Sequence, residues 1–72
     1  MTDYFNRKET AMPYVTVKAI EGRTVEQKRG LVKDITEAVV KNFNVEPDSV
    51  SIDILEYSKE NLSKAGQLFI DR

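Results

Sequence analysis

The chain has 72 residues, a formal net charge of −1, and neither cysteine nor histidine. These features exclude disulfides, argue against a structural zinc site, and exclude catalytic sites built on a histidine or cysteine side chain. An acid–base catalyst must therefore be a carboxylate, a lysine, a tyrosine or a terminal amine. A chain this short buries only about 60% of its unfolded surface, so we expect self-association to supply further burial.

Charge and hydropathy predict a cytoplasmic protein without nucleic-acid or membrane partners. The chain lacks the basic footprint of a nucleic-acid-binding protein, and it has no apolar run near the roughly 20 residues that span a bilayer. Residues 1–12 show neither helical nor strand periodicity and contain no apolar core of a signal peptide. We therefore expect a mobile N-terminal extension at 1–12 and one domain at 13–72.

Three segments in chain order predict a β-α-β unit. Residues 14–20 alternate between apolar and polar side chains, which is typical of a strand. Residues 24–43 carry an apolar stripe at helical spacing, and Thr24 and Gln27 have the spacing of a capping box. Residues 49–57 alternate again. This order favours a right-handed crossover between parallel strands, and thus an α/β (α+β) fold.

Finer features are also predicted. Glu37 and Lys41 have the spacing of a helical ion pair, and Lys18 is expected near Asp53 across the two strands. In the tail, residues 58–63 favour one helical turn, residues 65–66 favour a turn, and residues 68–70 form a β-prone run. We expect that run to join the sheet of a neighbouring copy, because an exposed edge strand is an aggregation liability.

Pro13 before a strand, E-G-R-T-x-E-Q-K at 21–28 and the long amphipathic helix together resemble the 4-oxalocrotonate tautomerase family. The match extends without a gap from Pro13 to about Gly66. The resemblance implies a β-α-β subunit with a short C-terminal hairpin, assembled as a homohexamer with active sites between subunits. It also implies a tautomerase that acts on small enol or α-keto carboxylates and uses no metal or organic cofactor.

The resemblance assigns roles to individual residues. Pro13 is the general base if its amine is free, and Arg23 binds the substrate carboxylate and stabilises the enolate. Ile20, Ser51 and Leu62 are the other substrate-binding positions, although Ser51 replaces a second arginine and Leu62 replaces a pocket aromatic. A free α-amine has a pKa of about 7.7–8.0, which suits proton transfer, and arginine binds carboxylates through two parallel hydrogen bonds.

One feature of the sequence opposes this mechanism. Pro13 follows Met12, so its nitrogen is an amide that cannot act as a base. Either translation starts at Met12 and the methionine is removed, or the chain is a catalytically silent relative. Two other interpretations stay open: an oligomeric scaffold or binding module that kept the fold, and an acidic adaptor that binds through residues 44–57. Asp53 and Glu56 are weak candidates for cation ligands.

Overall fold

The computed structural model describes residues 12–72, and it places one long helix over a pair of parallel strands. Strand β1 spans Tyr14–Ile20, helix α1 spans Val25–Phe43 and strand β2 spans Ser51–Tyr57. The strands are in parallel register from Tyr14 opposite Ser51 to Ile20 opposite Tyr57. The predicted β-α-β unit is therefore confirmed. The extension predicted at residues 1–12 lies, apart from Met12, outside the described residues.

Local interactions fix both ends of α1. Oγ1 of Thr24 accepts a hydrogen bond from the Gln27 backbone at 3.0 Å, and Oε1 of Gln27 accepts one from the Thr24 backbone at 2.9 Å. The capping box is thus complete. At the other end, Asn44 adopts the left-handed conformation with φ of 58°, and its N–H donates to the carbonyl of Val40 at 2.9 Å.

Thr24→Ala is expected to lower the free energy of unfolding by about 1 kcal/mol, because the N–H of Gln27 loses its acceptor. Thr24→Ser keeps the acceptor and should stay close to the parent protein. Urea unfolding at one fixed protein concentration measures both changes. If alanine and serine at this position are equally stable, the capping box contributes nothing to the fold.

The helix lies over the sheet face that carries Val17, Ala19 and Ile54. Apolar side chains on this face are only half-buried, and no residue in the range 12–72 is fully buried. Several large apolar side chains are exposed, among them Tyr14 at 73% and Phe43 at 64%. In a single copy, residues 12–72 therefore form little hydrophobic core of their own.

The opposite sheet face is largely exposed, and it mixes polar side chains with apolar ones such as Leu55. Thr16 lies opposite Asp53, and its hydroxyl donates to Oδ1 of Asp53 at 2.8 Å. Lys18 lies opposite Leu55 instead, so the predicted Lys18–Asp53 pair is wrong by two residues of register. Asp53 and Glu56 project from opposite faces of β2, because successive side chains alternate. They cannot form a joint cation site, and residues 12–72 contain no cluster of acidic side chains that could hold a metal ion.

The ion pair of Glu37 on the helix surface has a different partner from the one predicted. Glu37 pairs with Lys33 at 3.0 Å, one turn earlier than the predicted partner Lys41. Hydrogen bonding to Glu37, together with the charge of its carboxylate, raises the pKa of Lys33 above its ordinary value. The side chains of this pair are more than half exposed, so we expect the pair to contribute little to stability.

The C-terminal segment forms a small hairpin. After a 3-10 turn at Lys59–Asn61, β3 (Ser63–Lys64) pairs antiparallel with β4 (Gln67–Leu68). Ala65 and Gly66 make the predicted turn with φ of 54° and 81°. The β-prone run was predicted to continue as a strand through residue 70, but Phe69–Asp71 is a 3-10 turn. Similarly, β2 starts two residues later than predicted, because Pro47–Ser49 forms a 3-10 turn before it. Within the described range, no helix is long and apolar enough to cross a membrane.

Candidate active site

Pro13 and Ser51 lie together at the amino ends of the two parallel strands. The carbonyl of Pro13 accepts a hydrogen bond from the backbone N–H of Ser51 at 3.0 Å. Pro13 is half-buried and Ser51 is exposed. The candidate base therefore lies at a defined edge of the sheet, beside the position at which the family resemblance implies a second arginine.

Arg23 lies at the opposite edge of the sheet, between the end of β1 and the N-cap of α1. Its side chain is exposed and forms no ion pair with another described residue. It borders an open depression of about 270 Å³ between the first turns of α1 and the carboxyl ends of the strands. This depression is lined by Val17, Ala19, Arg23, Gln27, Lys28, Leu31, Ile54 and Glu56.

The strand between Pro13 and Arg23 sets their separation. β1 has seven residues, and a rise of about 3.3 Å per residue separates its ends by roughly 20 Å. A small carboxylate substrate is much shorter than this distance. Pro13 and Arg23 of one chain therefore cannot contact the same substrate molecule.

An ion pair that the sequence did not predict joins two of the residues that line the depression. Nζ of Lys28 lies 2.7 Å from Oε1 of Glu56, and the two side chains are only 31% and 28% exposed. The pair ties the second turn of α1 to the carboxyl end of β2. Lys28 belongs to the E-Q-K segment, but its partner depends on how the helix lies over the strands. The only hint of this ion pair in the sequence is the acidic residue at position 56.

The remaining predicted positions lie in two other places. Ile20 is half-buried opposite Tyr57 at the carboxyl edge of the sheet, and it does not border the Arg23 depression. Leu62 is half-buried in the C-terminal segment, where its carbonyl accepts a hydrogen bond from the N–H of Phe69 at 2.8 Å. A single chain thus joins Pro13 to Ser51 but does not gather the five predicted positions into one pocket.

Comparison with known proteins finds tautomerases. A family model described as "Tautomerase enzyme" matches residues 13–72. The 2-hydroxymuconate tautomerase of Bacillus subtilis is 45% identical over 60 residues, which cover 83% of this chain and 97% of the relative.

Two solved structures agree with this match. A structure from a study of the 4-oxalocrotonate tautomerase isozymes of Methylibium petroleiphilum is 50% identical, with a TM-score of 0.80 over 83% of this chain and 94% of that one. YwhB, a homologue of 4-oxalocrotonate tautomerase, is 43% identical, with a TM-score of 0.80 over 83% of this chain and 98% of that one.

The agreement extends from the fold to the sequence segments that carry the candidate site. The matched region begins at Pro13 and contains Arg23, and the β-α-β subunit with its hairpin is shared with the solved structures. Such a match supports an isomerase activity of the tautomerase type. The chain belongs to the tautomerase family.

Proposed function

We propose that the protein is an isomerase that moves a proton within small enol or α-keto carboxylates, with the free amine of Pro13 as general base. The observation that carries this proposal is the family match over residues 13–72, which begins at the candidate base. Arg23 is the proposed ligand of the substrate carboxylate. Ile20, Ser51 and Leu62 are proposed as further substrate-binding positions.

The proposed reaction needs one proton carrier and one source of positive charge. The unprotonated amine of Pro13 takes a proton from one end of the conjugated substrate and returns it to a carbon at the other end, while the double bonds shift. The reaction is therefore balanced without an oxidant or a reductant. Arg23 offers two parallel N–H groups to the carboxylate and stabilises the negative charge that develops on the enolate.

A complete site needs more than one copy of the chain. Because β1 holds Pro13 and Arg23 at opposite edges of the sheet, we propose that Pro13 of one copy meets Arg23 of another. The lack of a fully buried residue in the described chain supports association, as does the exposure of Tyr14 and Phe43. We favour a homohexamer, as the family resemblance implies.

Light scattering at micromolar concentration is expected to give a mass near six copies of the 8.2 kDa chain. Closed symmetric assemblies are the common way for small chains to cover apolar surface. A folded and stable monomer at this concentration would contradict both the assembly and the shared site.

A catalytically silent scaffold is the second candidate function. It is favoured by the acylated nitrogen of Pro13 and by Ser51 in place of a second arginine. The deciding experiment is an ultraviolet assay of the form that begins at Pro13, with 2-hydroxydienoate and phenylenolpyruvate-type substrates. We expect turnover. If the correctly assembled form shows none, the scaffold function is favoured.

A further inference from the structure

The two cations at the depression differ in whether they are already held in an ion pair. Among the described residues, three ionisable side chains border the depression: Arg23, Lys28 and Glu56. Lys28 is held by Glu56 at 2.7 Å, whereas Arg23 has no ion-pair partner among the described residues. The described side chains that line the depression therefore have a net charge of +1, and the unpaired cation among them is available to an anion.

We propose that Glu56 is a specificity-determining residue that disfavours a second carboxylate at the Arg23 depression. The proposal rests on the proposed function, because it assumes that Arg23 binds the substrate carboxylate. In the parent protein, the first carboxylate meets the free guanidinium of Arg23. A second carboxylate would meet an ammonium that Glu56 already neutralises, and it would also be repelled by Glu56 itself.

The partial burial of the pair makes this effect large enough to measure. The side chains of Lys28 and Glu56 are each less than one-third exposed, so water screens them less than it screens a surface pair. The carboxylate of Asp53 projects from the other sheet face, where it binds Thr16. Within residues 12–72, Glu56 is therefore the only anionic side chain that lines the depression.

Charge variants separate this role from a structural one. Glu56→Gln leaves both cations unopposed, while Lys28→Gln removes the second cation and leaves the anion. Each variant breaks the same ion pair, so a structural role would change ligand binding in the same direction in both. The exchanged pair, Lys28→Glu with Glu56→Lys, restores an ion pair with the original net charge.

The probes are crotonate and fumarate, which share a carbon skeleton and differ in one carboxylate. Their dissociation constants are measured by calorimetry on the assembled protein that begins at Pro13, at low ionic strength. We expect the preference for fumarate over crotonate to rise about 5- to 10-fold in Glu56→Gln. It should fall by a similar factor in Lys28→Gln, and it should stay near the parent value in the exchanged pair.

The results distinguish this inference from the proposed function. Shifts in the same direction for Glu56→Gln and Lys28→Gln, or no shift in either, overturn the role of Glu56. Failure of both probes to bind the parent protein overturns it as well. If the probes bind with the expected order and the same protein isomerises no enol acid, the proposed function fails while the charge selection stands.

Discussion

A form of the protein that begins at Pro13 is expected to isomerise simple enol acids at least about 10²-fold faster than the 72-residue chain. In the longer chain the nitrogen of Pro13 is an amide, and an amide has no basic lone pair at neutral pH. Removing residues 1–12 turns it into a secondary amine. The factor is the low end of what a positioned general base contributes.

The comparison needs two forms of equal assembly. One keeps residues 1–72, and the other is produced from Met12 and confirmed by intact mass to begin with Pro13. Both are assayed on 2-hydroxydienoate and phenylenolpyruvate-type substrates after light scattering shows the same oligomer. The kcat/KM of the short form should rise with pH until the amine is unprotonated, because only the neutral amine accepts a proton.

Pro13→Ala in the short form is the matched control. It replaces a secondary amine by a primary amine that can still accept a proton. The variant should therefore lose part, but not all, of the rate increase of the short form over the 72-residue chain. Equal rates for the long and short forms would mean that the amine of Pro13 is not the base. Tyr14, Lys18 or a carboxylate would then be the candidates.

The features that the sequence predicted well depend on residues close together in the chain. The capping box needs only Thr24 and Gln27, and the helix end needs only the left-handed conformation of Asn44. The turn at residues 65–66 is local in the same way. Such features follow from contacts between residues within about one helical turn, and they do not depend on the tertiary fold.

The features that the sequence could not predict depend on register. Asp53 bonds to Thr16 rather than Lys18, which follows from the offset of two strands that are far apart in the chain. The partner of Glu56 likewise depends on how α1 lies over β2. The partner of Glu37 does not depend on register. Lys33 and Lys41 both lie four residues from Glu37, and the two possible ion pairs differ in free energy by only a few tenths of a kcal/mol.

The candidate site likewise has some features that the sequence predicts and others that depend on the three-dimensional arrangement. Its residue types came from the resemblance, and the length of β1 already separates Pro13 from Arg23 in a single chain. The identity of the residues that meet across two copies depends on the geometry of the assembly. No local pattern in the sequence encodes that geometry, so Ile20, Ser51 and Leu62 stay predictions.

Arg23→Ala is expected to lower kcat/KM of the short form by about 30- to 1000-fold, which corresponds to on the order of 2–4 kcal/mol of transition-state stabilisation. The guanidinium has no ion-pair partner among residues 12–72, and its loss leaves the substrate carboxylate without a charged partner. Arg23→Lys keeps the charge and loses the two-pronged geometry, so its rate should lie between those of the parent and the alanine variant.

Arg29→Ala is the matched control for this change. Arg29 lies on the exposed surface of α1, where it pairs with Glu26 at 2.9 Å, and the two side chains are 68% and 83% exposed. Its replacement removes one arginine charge, as Arg23→Ala does, from a residue that does not line the depression. We expect kcat/KM to stay within about twofold of the parent, because exposed ion pairs contribute little. If Arg23→Ala and Arg29→Ala have equal rates in correctly assembled protein, Arg23 is a surface residue and another group must bind the carboxylate.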